Sequence, residues 1–302
     1  MPSRKIRIEY YKIVSAKKDE TEKGIDIDFP LEKLILKADE LGIEKRTYDY
    51  YQEEARLDKF EFNSNLNYWY LNFVRLRQTK LPVQATKSKE AIPMELAEDE
   101  YIGEDVTAVY DVSNHILALQ RNRDSLSAIG IETYLTKLYD SDERSICLRP
   151  VAMIGLNDKL QKARIFRKIT IRFATSSDDK KIGIQSSFFK LFDYINSFDA
   201  KTATITLSMG HVKKGSLDLE TMAKTILDVY HTGNIVTGAE VSIKNSEIEP
   251  VDTIDLFAMK YHDFITMKIK ECVSIDYHEL GDEICKKYRA SKESILKSLK
   301  NE

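Results

Sequence analysis

The chain has 302 residues, with 46 Lys and Arg against 49 Asp and Glu, a formal net charge of −3 and 42% hydrophobic residues. That balance excludes collagen-like, disulfide-scaffold and largely disordered chains. A charge so near neutral also excludes a protein that coats nucleic acid or membrane through bulk charge. The length predicts two domains: an N-terminal α+β domain over 1–142 and a C-terminal α+β domain of alternating strands and helices over 143–302. The three cysteines, Cys147, Cys272 and Cys285, form no CxxC pair, so neither a disulfide framework nor a four-ligand zinc site is expected. The first twenty residues carry charge but no apolar h-region, and no apolar run approaches the roughly 18 residues that span a bilayer. The expectation is a soluble, cytoplasmic protein in a reducing compartment.

In chain order, the alternation of Ile6, Ile8 and Tyr10 with Arg7 and Glu9 predicts a strand over 5–14. Pro30 opens a helical pattern of Leu31, Leu34, Ile35, Ala38 and Leu41, and Gly42 stands where a C-terminal cap belongs. Residues 55–79 read as two aromatic strands turning at Asn63-Ser64-Asn65. Residues 78–93 lose periodicity, hold two prolines and read as an exposed loop. From Glu95 to Asp105 come six acids and no base. Two alternating runs then meet at Val112-Ser113-Asn114, a hairpin signal. Ser125 reads as the cap of a helix bearing Leu126, Ile129, Ile131, Leu135 and Leu138.

From residue 146 the predicted order is a strand (146–154), a short helix opened by Asn157, a strand (167–175), a helix (184–198), a strand (203–209) and a helix from Ser216. A strand over 234–245 and one or two strands over 252–271 follow. A long amphipathic helix with basic residues in its last turn closes the chain. No repeat of about 20–50 residues recurs. Adjacent strands and half-polar alternation favour an α+β fold with mostly antiparallel mixed sheets, flanked by helices and ended by a long C-terminal helix.

The junction Gly210-His211-Val212-Lys213-Lys214-Gly215-Ser216 joins a predicted strand to a predicted helix. Gly-x4-Gly-Ser approaches the phosphate loop but lacks the lysine after its second glycine. A plainer anion site of Lys213, Lys214 and the helix N-terminus is physically reasonable. His211-x-Lys213-x4-Asp218 resembles the signature of the phospholipase D-type phosphodiesterases and nucleases. That resemblance implies His211 as nucleophile and Lys213 as phosphate holder, in a metal-independent enzyme completed as a homodimer. The family's Gly-Ser-x-Asn continuation and a second copy are missing, and the plain alternative is a lysine-rich turn before a helix.

Bases concentrate at Lys159, Lys162, Arg164, Arg167, Lys168 and Arg172 with no acid between them. Arg121 with Arg123, and Arg75 with Arg77, form smaller clusters. Arg121, Arg123, Lys159, Lys162, Arg164, Arg167, Lys168 and Lys214 are therefore candidate contacts to nucleic-acid phosphates or to an acidic protein. The alternative is a solvated face, or one that pairs with the acidic segment Glu95–Asp105. The five histidines form neither HxH nor HExxH, and no GxSxG elbow occurs, so no metal, cofactor or serine nucleophile is signalled. The apolar stripe Ile284, Tyr288, Ile295 and Leu299 of the last helix is a candidate homodimer element.

The segments IRIEYYKI, DVTAVYDVSNHILALQRNRDSLSAIGIETYL and TLSMGHVKKGSLD together resemble an uncharacterised family of bacterial or prophage-encoded proteins of about this length, some near phage-defence genes. The resemblance implies a setting in bacterium–phage conflict and no particular activity. The expected function is that of an interaction protein in phage defence or counter-defence, working through a local basic surface. The alternatives are the phosphodiesterase and a pure protein-binding inhibitor.

Overall fold

The computed structural model describes residues 3–17, 26–50, 53–152, 163–174, 197–198, 200, 202–212, 214–231, 236–246, 248–256, 260–271 and 273–300. Its strands and helices run β1 (Ser3–Lys17), β2 (Ile27–Asp28), α1 (Glu32–Lys45), β3 (Thr47–Tyr50), β4 (Glu53–Asn63), β5 (Tyr68–Arg77), β6 (Val83–Thr86) and β7 (Lys89–Pro93). β8 (Ile102–Asp111), β9 (Ile116–Gln120), α2 (Ala128–Tyr139), β10 (Arg144–Pro150), β11 (Ile165–Ala174) and β12 (Thr202–Ser208) follow. The chain continues with α3 (Leu219–His231), β13 (Val236–Lys244), β14 (Asp252–Asp255), β15 (His262–Lys268) and α4 (Tyr277–Lys300). This is the expected α+β class, with antiparallel ladders and a long C-terminal helix. The segments predicted as helices from Asn157 and over 184–198 lie largely outside the described residues, as do Lys159, Lys162 and Lys213.

The chain divides into two compact units. The first combines Met1–Ala16, Asp26–Leu148 and Asp263–Arg289, and the second is mainly Arg149–His262. The first unit is built on a sheet of order β10-β1-β9-β8-β5-β4-β3, with β2 and β15 also paired to β1. Its central strands lose the alternation of a half-exposed sheet, and β9 is buried at every position. The reason is that both faces are covered. On one face, Leu34, Ile35 and Ala38 of α1 and Ile131, Tyr134, Leu135 and Leu138 of α2 pack with Leu57, Leu71, Phe73, Val106, Ala108, Leu117 and Leu119. On the other face, Tyr288 of α4 lies with its ring 5.9 Å from that of Tyr10 and 5.7 Å from that of Tyr68.

Several local expectations are corrected. Residues 78–93 hold the hairpin β6–β7, every residue of which is exposed, so no apolar alternation marked it. The cap of α2 is Ser127, whose hydroxyl accepts from Gly130 N at 3.2 Å, while Ser125 Oγ donates to the Glu104 carbonyl. Gly42 lies inside α1 at φ +69°, a left-handed conformation that breaks the helix path before one further turn. In α4, Ile284, Tyr288 and Ile295 are fully buried within the chain, which removes them as a free dimer face.

The second unit carries a sheet of order β12-β11-β13-β14. The inward side chains Phe166, Ile169, Ile171 and Phe173 of β11 and Ala239, Val241 and Ile243 of β13 form its core with Met222, Ile226 and Val229 of α3. The register sets Lys168 beside Ser208 and Ser242, Thr170 beside Thr206 and Glu240, and Arg172 beside Thr204 and Gly238. Alternation therefore makes the face opposite α3 a polar one, built from hydroxyls and charges.

Candidate functional site

Arg167 organises the turn between β12 and α3. Its guanidinium donates to the Gly215 carbonyl at 2.9 Å and also to the Val212 carbonyl. Met209 N donates to Arg167 O at 2.9 Å, Leu217 N to Phe166 O at 2.8 Å, and Phe166 N to Ser216 Oγ at 2.9 Å. The glycine-bounded turn is thus stitched along the start of β11, with two of its carbonyls turned to a cation. A phosphate loop needs the reverse, amide hydrogens turned to an anion.

Ser216, where the helix was expected to begin, is engaged by β11 instead. Asp218 takes the capping place, accepting from Thr221 N at 2.8 Å, while its carbonyl accepts from Met222 N at 2.9 Å. Hydrogen bonds from Thr221 hold the Asp218 carboxyl below the usual carboxylate range. An anion at this helix N-terminus would meet that like charge. His211 is exposed and makes no hydrogen bond among the described residues, and the Asp218 carboxylate is turned to the helix rather than to the imidazole.

What the fold does bring together is a group of cations at one end of the second sheet. Arg164 precedes β11, Lys168 lies on its polar face, and Lys214 stands on the turn stitched to it. Arg164, Lys168 and Lys214 have no carboxylate partner among the described residues. Several arginines of the first unit are paired. Arg75 bonds Glu53, Arg77 reaches Glu104 at 3.0 Å, and Arg121 lies 3.6 Å from Glu9. The acidic segment thus meets Arg77 through Glu104, and its Asp105 accepts from Asn72. Arg121 and the exposed Arg123 belong to the first unit and are not part of this group.

Sequence reasoning missed the row of hydroxyls that runs along β12 from Ser208, the residue beside Lys168. Thr202, Thr204, Thr206 and Ser208 are all exposed on β12, and Thr206 shares a 3.2 Å hydrogen bond with Thr170. The signal was the strict T-x-T-x-T-x-S alternation, whose meaning depends on the neighbouring strand. Apart from Asp218 at the start of α3, acids lie toward the other edge. Glu240 pairs with Arg172 at 2.6 Å, and Asp252 and Asp255 are exposed on β14. Among the described residues no group of three His, Cys, Asp or Glu is placed to hold a metal ion. None of their helices is long and apolar enough to cross a membrane.

Fold and surface together define an α+β protein whose second sheet ends in cations without a carboxylate partner among the described residues, on the strand next to a row of hydroxyls. Residues 1–297 match the profile of a family of unknown function (DUF6731), and the chain belongs to that family. No curated protein matches it.

Proposed function

We propose that this is a cytoplasmic interaction protein that binds the phosphate backbone of a nucleic acid through the basic end of its second sheet, in the setting of bacterium–phage conflict. The observation that carries the reading is a contrast in pairing. Arg75, Arg77 and Arg121 each have a carboxylate within 4 Å, whereas Arg164, Lys168 and Lys214 have none among the described residues. Unpaired cations cost self-repulsion, which an incoming polyanion relieves with release of its counterions. Nucleic acid is favoured over an acidic polypeptide by the company these cations keep. Lys168 lies beside Ser208, and hydroxyls of this kind donate to phosphate oxygens. The acids on β14 steer the anion toward the β11–β12 side. The biological setting rests on the three resembling segments.

Fluorescence anisotropy tests the reading with labelled single-stranded RNA, single-stranded DNA and duplex DNA at low salt, and with polyglutamate as competitor. At least one nucleic acid binds, and the triple variant Arg164→Ala/Lys168→Ala/Lys214→Ala binds it about tenfold more weakly or worse. Absence of nucleic-acid binding, equal binding by the variant, or displacement by polyglutamate at equal charge overturns it.

A further inference from the structure

We infer that β12 pairs edge to edge with β12 of a second copy of this chain, so that the two four-stranded sheets become one. Among the described residues β12 has β11 on one side and no strand on the other. Over Thr202–Ser208 it holds no charged residue, no proline and no bulge. Natural sheets protect an exposed edge with such devices, because the open row of N–H and C=O groups is a template for another strand. The opposite edge of the same sheet follows that practice, since β14 carries the exposed acids Asp252 and Asp255.

The backbone phase is defined. Met209 N donates to Arg167 O, so the odd residues of β12 point their amides at β11. By alternation, Thr202, Thr204, Thr206 and Ser208 turn theirs outward. An antiparallel two-fold pairing centred on Ile205 places Thr204 opposite Thr206 of the partner subunit and Thr202 opposite Ser208 of the partner subunit. Both are hydrogen-bonded positions between hydroxyl residues. Ile205 then faces its own copy at the close, non-hydrogen-bonded position. No like charges oppose each other, and the strand is its own complement.

The side-chain face also calls for a second strand. An apolar cavity of about 160 Å³ opens between β12 and α3, lined by Ile205, Leu207, Leu217 and Met222 among others. Leu207 is 51% exposed there. In the two-fold arrangement a second row of Ala, Ile and Leu from the same strand extends this wall. The occupant is thus argued from self-complementary register and from the absence of charge. An acidic peptide would find no cation on this strand.

Sedimentation velocity of the whole chain tests the inference, with three variants. The parent sediments as a dimer. Thr204→Pro removes only an outward amide, which an edge strand tolerates; it sediments as a monomer with an unchanged circular dichroism spectrum. Ile205→Cys forms a covalent dimer under mild oxidation, because non-hydrogen-bonded pairs place Cα atoms about 4.5 Å apart, within disulfide reach. Ser208→Cys does not, since its copy lies at the far end of the paired strand. A monomeric parent overturns the inference. So does a dimer that survives Thr204→Pro, or one that crosslinks no better at 205 than at 208. A monomer that binds nucleic acid would sink this inference alone, and a β12 dimer that binds none would sink only the functional reading.

Discussion

Asp111 has no exposure to solvent, yet its carboxylate accepts from Ser113 N at 3.0 Å, Asn114 Nδ2 at 2.8 Å and Tyr288 Oη at 2.7 Å. The first two bonds shape the β8–β9 turn, and the third fastens α4 to it. Replacing Tyr288 by Phe keeps the ring and removes one donor from a buried carboxylate, a loss of about 1–3 kcal/mol. Urea unfolding should show a lower midpoint at unchanged slope. The tyrosines also set an alkaline limit. Burial pushes Tyr288, Tyr110 and Tyr134 well above the ordinary tyrosine value of 10.0. A group whose pKa is raised on folding stabilises fully below its unfolded value and loses that contribution as pH rises through the folded one. The urea midpoint should therefore be insensitive to these groups below pH 10.0 and fall above it. A midpoint that stays level well above pH 10.0 would contradict the buried-tyrosine account.

At the scale of elements, α4 reads from sequence as a two-sided amphipathic helix and nothing more. Its apolar stripe does not say what covers it, which is why Ile284 and Tyr288 suggest a dimer face while the fold buries them in the chain itself. The approach is close at Gly281, where an added Cβ would stand 3.1 Å from Tyr70 Cδ2. Gly281→Val should cost about 1–3 kcal/mol by forcing the helix off the sheet, read as a lower thermal midpoint with altered near-ultraviolet dichroism. The alternating strands β1, β11 and β12 were legible because period-2 patterning is local, and β4 and β5 were legible through their aromatic residues and the turn between them. Caps were less so. Ser125 and Ser127 offer the same hydroxyl, and only the position of β8 decides which one faces a helix amide. The basic stretch from Lys159 to Arg172 was legible as composition. Its division was not, since Arg167 turns to carbonyls while Arg164 and Lys168 have no carboxylate partner among the described residues, a choice made by the turn stitched across β11.

For the whole molecule, 46 bases against 49 acids describe a sum rather than a surface. In the first unit three arginines are matched at short range, Arg75 with Glu53, Arg77 with Glu104 and Arg121 with Glu9. In the second unit the acids Asp252, Asp255 and Glu240 sit toward one edge, while Arg164, Lys168 and Lys214 gather at one end without them. Near-neutral total charge is thus compatible with a local polyanion site, and the site's strength should depend on salt even though the protein's bulk charge does not favour anions. The most direct measurement is the salt dependence of affinity, across single-stranded RNA, single-stranded DNA and duplex DNA, for the parent and for Arg164→Ala/Lys168→Ala/Lys214→Ala. Three phosphate contacts, at about 0.7 each on a single strand or about 0.9 each on duplex DNA, make the parent's slope of log affinity against log salt steeper by about 2.1 or about 2.7. Parallel slopes, or no salt-dependent binding by the parent, would contradict a phosphate-binding role for this end of the sheet.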